Sequence, residues 1–308
     1  MKRLKLPGWI IVGIAQFSTI GCPQRQEVST TKGNVTIECD EAIMPVMHQQ
    51  VDDFRRSYQE AYITLSAVGA RAAIVDFLND SVQIIATARP LNNEELGAVN
   101  TARIEYREYN IAFDAVAVIM HKENPTKQLR VSELDGILTG ELTKWPGVKP
   151  QRGPIELALS GVNSSTNEIV RSSIMENKPF SPAASYFESS HDVVAFVSDN
   201  LNAIGIVNIS WLKGFEDQVT VAGIGSAPIP PDSVARFYSP AQANIYRGLY
   251  PLSTKVFMYN REIQRTVGLG FIAYVSSVPG QKIFQQNGLV PATMPIRLVE
   301  TTSKQVNQ

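Results

Sequence analysis

Residues 33–91 read GNVTIECDEAIMPVMHQQVDDFRRSYQEAYITLSAVGARAAIVDFLNDSVQIIATARPL, and the periodicities in this stretch decide the fold. Residues 33–38 alternate and carry the β-branched Val35, Thr36 and Ile37, which reads as a strand. From there Met44, Met47, Val51, Phe54, Tyr58 and Tyr62 recur every three or four residues. That spacing makes one apolar stripe on a helix, with Asp52, Asp53, Arg55, Arg56 and Glu60 elsewhere on the wheel, and it reads as core packing. Residues 61–66 look like a second strand, 71–78 a second helix and 82–87 a third strand. A β-α-β-α-β order predicts a mainly parallel sheet with helices on its faces.

The remainder extends the α/β pattern. Residues 111–120 (IAFDAVAVIM) are nearly continuously apolar and β-branched, and read as a buried strand that passes between lobes. Ser132 and Asp135 have the spacing of a capping box and predict the start of a short helix with Leu134, Ile137 and Leu138 inward. Strands are expected at 155–159, 203–207 and 250–260, and helices at 166–175, 191–199, 263–275 and 280–287.

The N-terminus points to export. Lys2, Arg3 and Lys5 precede an apolar run over 6–21 that is broken by Gln16, Ser18 and Thr19, which describes a secretory signal over 1–21. The run is too short and interrupted for a membrane-spanning helix, which needs about 20 apolar residues. Thr19-Ile20-Gly21-Cys22 resembles a bacterial lipobox. That resemblance implies cleavage before Cys22, diacylation of Cys22 and a membrane-anchored protein facing the periplasm or cell exterior. Residues 22–32 are polar and aperiodic, as a flexible tether would be. With Cys22 lipidated, Cys39 has no intramolecular partner and the core alone must stabilise the fold.

Composition and motifs exclude several functions. The chain is 44% hydrophobic and 19% charged, ordinary globular values. A net charge of −1 with no basic run argues against nucleic acid as a partner. His48, which should be exposed on its helix, His121 and His191 neighbour no nucleophile, and no His, Cys or Asp cluster has metal-ligand spacing. No Gly-x-Ser-x-Gly elbow occurs. The expectation is a binding protein and not an enzyme, with no metal and no cofactor.

Ligands of such sheets sit beyond the carboxyl ends of the strands, where helix N-termini present free N–H groups and partial positive charge to anions. Three junctions stand out: Cys39-Asp40-Glu41-Ala42, Val68-Gly69-Ala70-Arg71 and Val162-Asn163-Ser164-Ser165-Thr166-Asn167. The third offers three hydroxyls beside a helix start, although Ser and Thr at such places are usually only caps.

Spread across residues 33–295, the chain resembles the phosphate-binding proteins of phosphate ABC importers (PstS-like), within the type II periplasmic binding protein fold. The carriers, in order, are VQIIATARPL at 82–91, AVAV at 115–118, GILTGELTKW at 136–145, Asn163 to Thr166 in place of a Gly-Ser-Gly-Thr loop, AIGIV at 203–207, Tyr250-Pro251-Leu252, and Gly280-Gln281 with Gly288-Leu289-Val290-Pro291. The resemblance implies two α/β lobes, each a mainly parallel sheet flanked by helices, with a ligand cleft between them. The first lobe would take 33–114 plus 255–300 and the second 115–254, with a tail at 301–308 and hinges at 111–115 and 250–256. It implies a monomer that holds phosphate or a related oxyanion and hands it to an ABC permease. The ligand positions it implies fall on Asp40, Glu41 and Ala42, on Thr87, and on Asn163, Ser164, Ser165 and Thr166; Arg71, where the family commonly has a small or hydroxyl residue, and Arg89, after the third strand, join them as candidate ligand residues.

One departure bears on the ligand. Where the family's first loop reads Gly-Ser-Thr-Thr or similar, this chain has Cys39, Asp40, Glu41 and Ala42. An ionised carboxylate cannot donate a hydrogen bond. At about 4 Å in an effective dielectric near 20, each like-charge contact costs on the order of 4 kcal/mol. Either Asp40 and Glu41 point away and leave backbone N–H groups to the ligand, or one is protonated, or the ligand differs. Arg71 and Arg89 could compensate by engaging the anion or pairing with the acids. The Arg that the family often places before its Gly-Ser-Gly-Thr loop is replaced by Leu159, Ser160 and Gly161. The alternative function is a surface lipoprotein that kept the fold, lost phosphate binding and serves as sensor, adhesin or structural module.

Overall fold

The computed structural model describes residues 29–148, 153–225 and 236–294. The leader, Cys22, most of the expected tether and the 301–308 tail lie outside the described residues. The chain runs β1 (Gly33–Asp40), a 3-10 turn (Glu41–Ile43), α1 (Met44–Ser57), β2 (Ala61–Val68), α2 (Ala70–Leu78), β3 (Ile84–Thr87), α3 (Asn93–Ala102), β4 (Arg107–His121), β5 (Gln128–Arg130) and α4 (Val131–Thr139). It continues through β6 (Glu156–Ser160), α5 (Ser165–Ser173), β7 (Ser185–Phe187), α6 (Ser190–Asp199), β8 (Ala203–Asn208), a 3-10 turn (Ile209–Leu212), β9 (Val219–Val221), β10 (Gly223–Gly225) and β11 (Phe237–Tyr238). Last come α7 (Gln242–Tyr246), β12 (Ser253–Asn260), α8 (Val267–Val275), α9 (Val278–Gln286) and β13 (Val290–Pro291).

The large sheet has the order β2-β1-β3-β12-β4-β8-β6-β7, with β13 and β9 also pairing with β4; β11-β10-β5 form a small second sheet. The outer strands are parallel, β1 with β2 and β3, and β6 with β7 and β8. The antiparallel part of the expected mainly parallel lobes is their centre: β12 runs antiparallel to β3 and β4, and β4 antiparallel to β8. These central strands carry the chain between the two halves: β12 runs against the βαβ strands of the first half, and β4, which runs with those, runs against the strands of the second.

β4 makes two lobes out of one sheet. Its residues 107–115 pair with β12 and its residues 116–120 with β8. The apolar run from Ile111 is what permits this, because Val116 to Met120 are fully buried and both faces of the strand are covered. At the changeover Val116 N–H donates to Leu252 O at 2.9 Å, and the Tyr250 hydroxyl donates to Val116 O at 2.8 Å. In the second lobe α6 lies so close to β8 that a Cβ at Gly205 would meet methyls of Val193 and Val197 at 2.8 and 2.9 Å.

Three local expectations are corrected. The stripe of α1 ends at Ser57, so Tyr58 is 37% exposed and Tyr62, now on β2 where the side-chain period is two, is 56% exposed; neither is core. α4 starts at Val131, and its box is made by Glu133, whose carboxylate accepts the Arg130 N–H at 2.8 Å, and not by Ser132 and Asp135. α3 has no counterpart in the sequence reading: only Val99 of its ten residues is buried, and Asn92 and Glu95 cap it reciprocally.

Candidate functional site

The carboxyl ends of β1 and β3 and the start of α2 face the start of α5 across the lobe boundary. Contact there is direct: a Cβ on Gly69, the residue that precedes α2, would lie 2.9 Å from the Asn163 carbonyl oxygen before α5. The hydroxyls, acids and arginines singled out in the sequence meet around this boundary.

Ser164 caps α5, its hydroxyl accepting the Asn167 N–H at 3.2 Å and the Ser160 hydroxyl at 3.1 Å. It is an ordinary N-cap, as Ser at such a position usually is. Ser165, next in the chain, is fully buried, and its hydroxyl makes no hydrogen bond of good geometry. It lies close enough to Asp40 to lower that carboxyl's pKa. As the first residues of a helix, Ser165 and Thr166 have N–H groups without intrahelical partners. Thr166 is also buried, but its hydroxyl donates to Asn208 Oδ1 at 2.7 Å. Asn208 Nδ2 donates in turn to Asp114 at 2.8 Å, and Asp114 also accepts the Ala115 N–H at 2.7 Å. Asn163 stands exposed at the rim.

Asp40 and Glu41 go different ways. Asp40 is fully buried at the end of β1; one oxygen accepts the Ala42 N–H at 3.2 Å and the other the Ala88 N–H at 3.0 Å. Burial raises its pKa, against the Ser165 hydroxyl, the Ala88 and Ala42 N–H groups and the Arg89 charge. Glu41 reaches into the other lobe, where its carboxylate accepts both the backbone N–H and the hydroxyl of Ser190 at 2.8 Å, at the start of α6. The Trp211 indole donates to the Glu41 carbonyl at 3.1 Å, and the Ser210 hydroxyl to the Ala42 carbonyl at 3.2 Å. The first loop is therefore bonded across the boundary at three points.

The two arginines do not serve as free cations beside Asp40. Arg89, 5% exposed, donates to both oxygens of Glu95 at 2.8 Å and to Pro90 O at 2.9 Å, and pairs through Nε with Glu168 of α5. Burial opposes its charge, but the Glu95 hydrogen bonds and the charges of Glu168, Glu95 and Asp40 outweigh that and raise its pKa. Arg71 is exposed in the first turn of α2, within electrostatic reach of Glu168. Thr87 turns its hydroxyl to Arg89 O at 2.8 Å.

Sequence reasoning missed Asp114, Ala88, Glu168, Asn208 and Ser190. A lone acid inside IAFDAVAVIM was the one available signal, because a charge in a buried run needs a partner. The structure supplies Asn208 and Ala115 as partners, yet burial still pushes the Asp114 carboxyl up to about 7, with the Asp40 charge adding to the effect. Among the described residues no cluster of His, Cys, Asp and Glu is arranged to hold a metal ion.

Comparison with known proteins bears on the family and the fold. A sequence model described as a PBP superfamily domain matches residues 25–278. The chain is 24% identical over 244 residues to Protein SphX of Synechococcus elongatus, covering 77% of this chain and 71% of that one. It is 23% identical over 332 aligned positions to the phosphate-binding protein PstS of Pseudomonas aeruginosa, covering 99% of each. A Clostridium perfringens protein solved with bound phosphate shares the fold at a TM-score of 0.71 and 22% identity, covering 84% of this chain and 100% of that one. An ABC-type phosphate transport receptor from Vibrio cholerae does so at 0.64 and 21%, covering 85% and 100%.

Proposed function

The chain belongs to the PBP superfamily, and on that footing we propose that it is an exported, lipid-anchored solute-binding protein that captures inorganic phosphate for an ABC importer. Ser165 carries the reading. A buried hydroxyl without a good hydrogen bond, at the N-terminus of a nine-residue helix, is a donor held ready for an anion. The relatives named above as phosphate-binding support phosphate as that anion. Residues 33–114 with 255–300 form the first lobe and 115–254 the second, and the stretches 111–115 and 250–256 serve as hinges. Capture by hinge closure is the whole of its chemistry, with no bond made or broken. Cys22 carries the lipid, residues 22–32 hold the lobes off the membrane, and the protein meets its permease as a monomer.

A second reading has its own support. Arg89 is committed to Glu95 and Glu168, and Asp40 brings a carboxylate to the cradle. A lipoprotein that kept the fold and lost phosphate would look like this. Isothermal titration with phosphate, sulfate and organic phosphates separates the two. Saturable heat with phosphate is the expected result; no heat and no thermal shift with any oxyanion would overturn the transport reading. For the anchor, Cys22→Ser should move the protein from the membrane fraction to the soluble one, and continued lipid labelling of that variant would refute the assignment.

A further inference from the structure

We propose that Asp40 is an internal occupant of the oxyanion cradle: its carboxylate holds main-chain N–H groups that a ligand would otherwise take, and so weakens binding. The inference rests on the oxyanion reading above and concerns the same cleft.

The bond from Ala42 N–H alone would be ordinary, since an acid before a 3-10 turn commonly caps it. The bond from Ala88 N–H is not local. It comes from the end of another strand, 48 residues on, so the two carboxylate oxygens join the ligand-facing ends of β1 and β3. A bound oxyanion makes the same demand on such a junction, with separate oxygens each accepting from a different strand end. The third donor, the Ser165 hydroxyl, faces this carboxylate from the opposite lobe. Asp40 thus sits, fully buried, at the meeting point of donors from the turn after β1, the residue after β3 and the start of α5.

Each N–H supplies one good hydrogen bond, so Asp40 and a ligand oxygen compete for it. Charge adds to the competition. A like-charge contact at about 4 Å in an effective dielectric near 20 lowers affinity about a thousandfold. The nearest buried cation, Arg89, is bidentate to Glu95 and paired with Glu168, so it is already shared among acids. Glu41 adds no competition, because Ser190 takes its carboxylate away from the cradle.

The opposite assignment, Asp40 as a direct ligand group, makes the opposite forecast, and phosphate titrations of wild type, Asp40→Ala and Asp40→Asn decide between them. Asp40→Ala frees both N–H groups and removes the charge; it should bind phosphate about tenfold more tightly than wild type, or better. Asp40→Asn keeps the side-chain volume and one acceptor oxygen while losing the charge, and should fall between the two. Circular dichroism checks that each variant is folded. If Asp40→Ala disrupts the loop, Asp40→Asn decides alone, and weaker binding than wild type overturns the proposal. Wild type binding phosphate while the folded variants bind it equally or more weakly overturns the proposal and leaves the oxyanion reading standing. Phosphate binding that emerges only in the variants supports it. No binding by any of the three sinks the oxyanion reading and takes the proposal with it.

Discussion

Asp40 and Glu41 leave the end of β1 side by side and part within one residue, because each carboxylate goes to the donors within its reach. Glu41 finds the N-terminal N–H and hydroxyl of Ser190, where a helix dipole favours negative charge. Asp40 finds Ala42 and Ala88. Of the alternatives left open by the sequence, Glu41 takes the first and turns from the cradle. Ser165 is the complementary case, a donor with no settled acceptor. Ser165→Ala should weaken phosphate binding by about 1–3 kcal/mol, the usual loss for a hydrogen bond to a charged group, while folding stability changes by less than about 1 kcal/mol because no well-made bond is lost. Equal affinity in the variant, read by titration calorimetry, would remove Ser165 from the cradle. The sequence made Ser164, Ser165 and Thr166 look alike. What separates them is which neighbour folds nearby: Ser160 and Asn167 for the first, Asn208 for the third, and no good acceptor for the second. Those partners lie on other turns and strands, so one-dimensional spacing does not carry the distinction.

At the scale of elements, what was legible is what periodicity encodes. β1, α1, β2 and α2 follow from 33–91 because each buries one face and leaves a stripe or an alternation, and β3 follows as a short apolar run buried on both faces. α3 escaped because a nearly all-exposed helix leaves no stripe; only the Asn92-x-x-Glu95 spacing marked it. The antiparallel centre escaped because a strand covered on both faces reads the same in either direction. Contact between elements of different lobes is equally silent in sequence, and Gly69 shows it. Its φ of −71° suits any residue, so no backbone need explains the glycine. The Asn163 carbonyl 2.9 Å from its Cβ position does. Gly69→Ala should therefore leave each lobe folded and hinder their approach. Phosphate affinity should fall by about 1–3 kcal/mol, as for other overpacked contacts, and the radius of gyration with saturating phosphate, read by small-angle scattering, should exceed that of wild type. Unchanged affinity and radius would mean that α2 and the loop before α5 do not meet in the bound state.

For the whole molecule, the acids decide how stability depends on pH. Among the described residues Glu38, Asp40, Glu41, Asp114, Glu168 and Glu262 all have raised pKa values, in each case chiefly through burial. Asp114 is the clearest, fully buried on the strand shared by both lobes and raised from 3.8 to about 7. In the unfolded chain its proton leaves near 3.8; in the folded protein it stays to about 7. Between those values the folded state binds the extra proton, so protonation favours folding there. The contribution is complete below about pH 4 and is lost as pH rises through 7, on the order of a few kcal/mol for Asp114. The other raised acids act with the same sign. Denaturant unfolding should therefore give a higher stability at pH 5 than at pH 7.5. Asp114→Asn, which stays neutral throughout, should flatten that slope even though its amide meets the Ala115 N–H less well than a carboxylate does. Stability that climbs from pH 5 to 7.5 in wild type, or a slope untouched in the variant, would show that the buried acids of the cleft are held ionised by partners stronger than Asn208 and the Ala115 and Ala88 N–H groups.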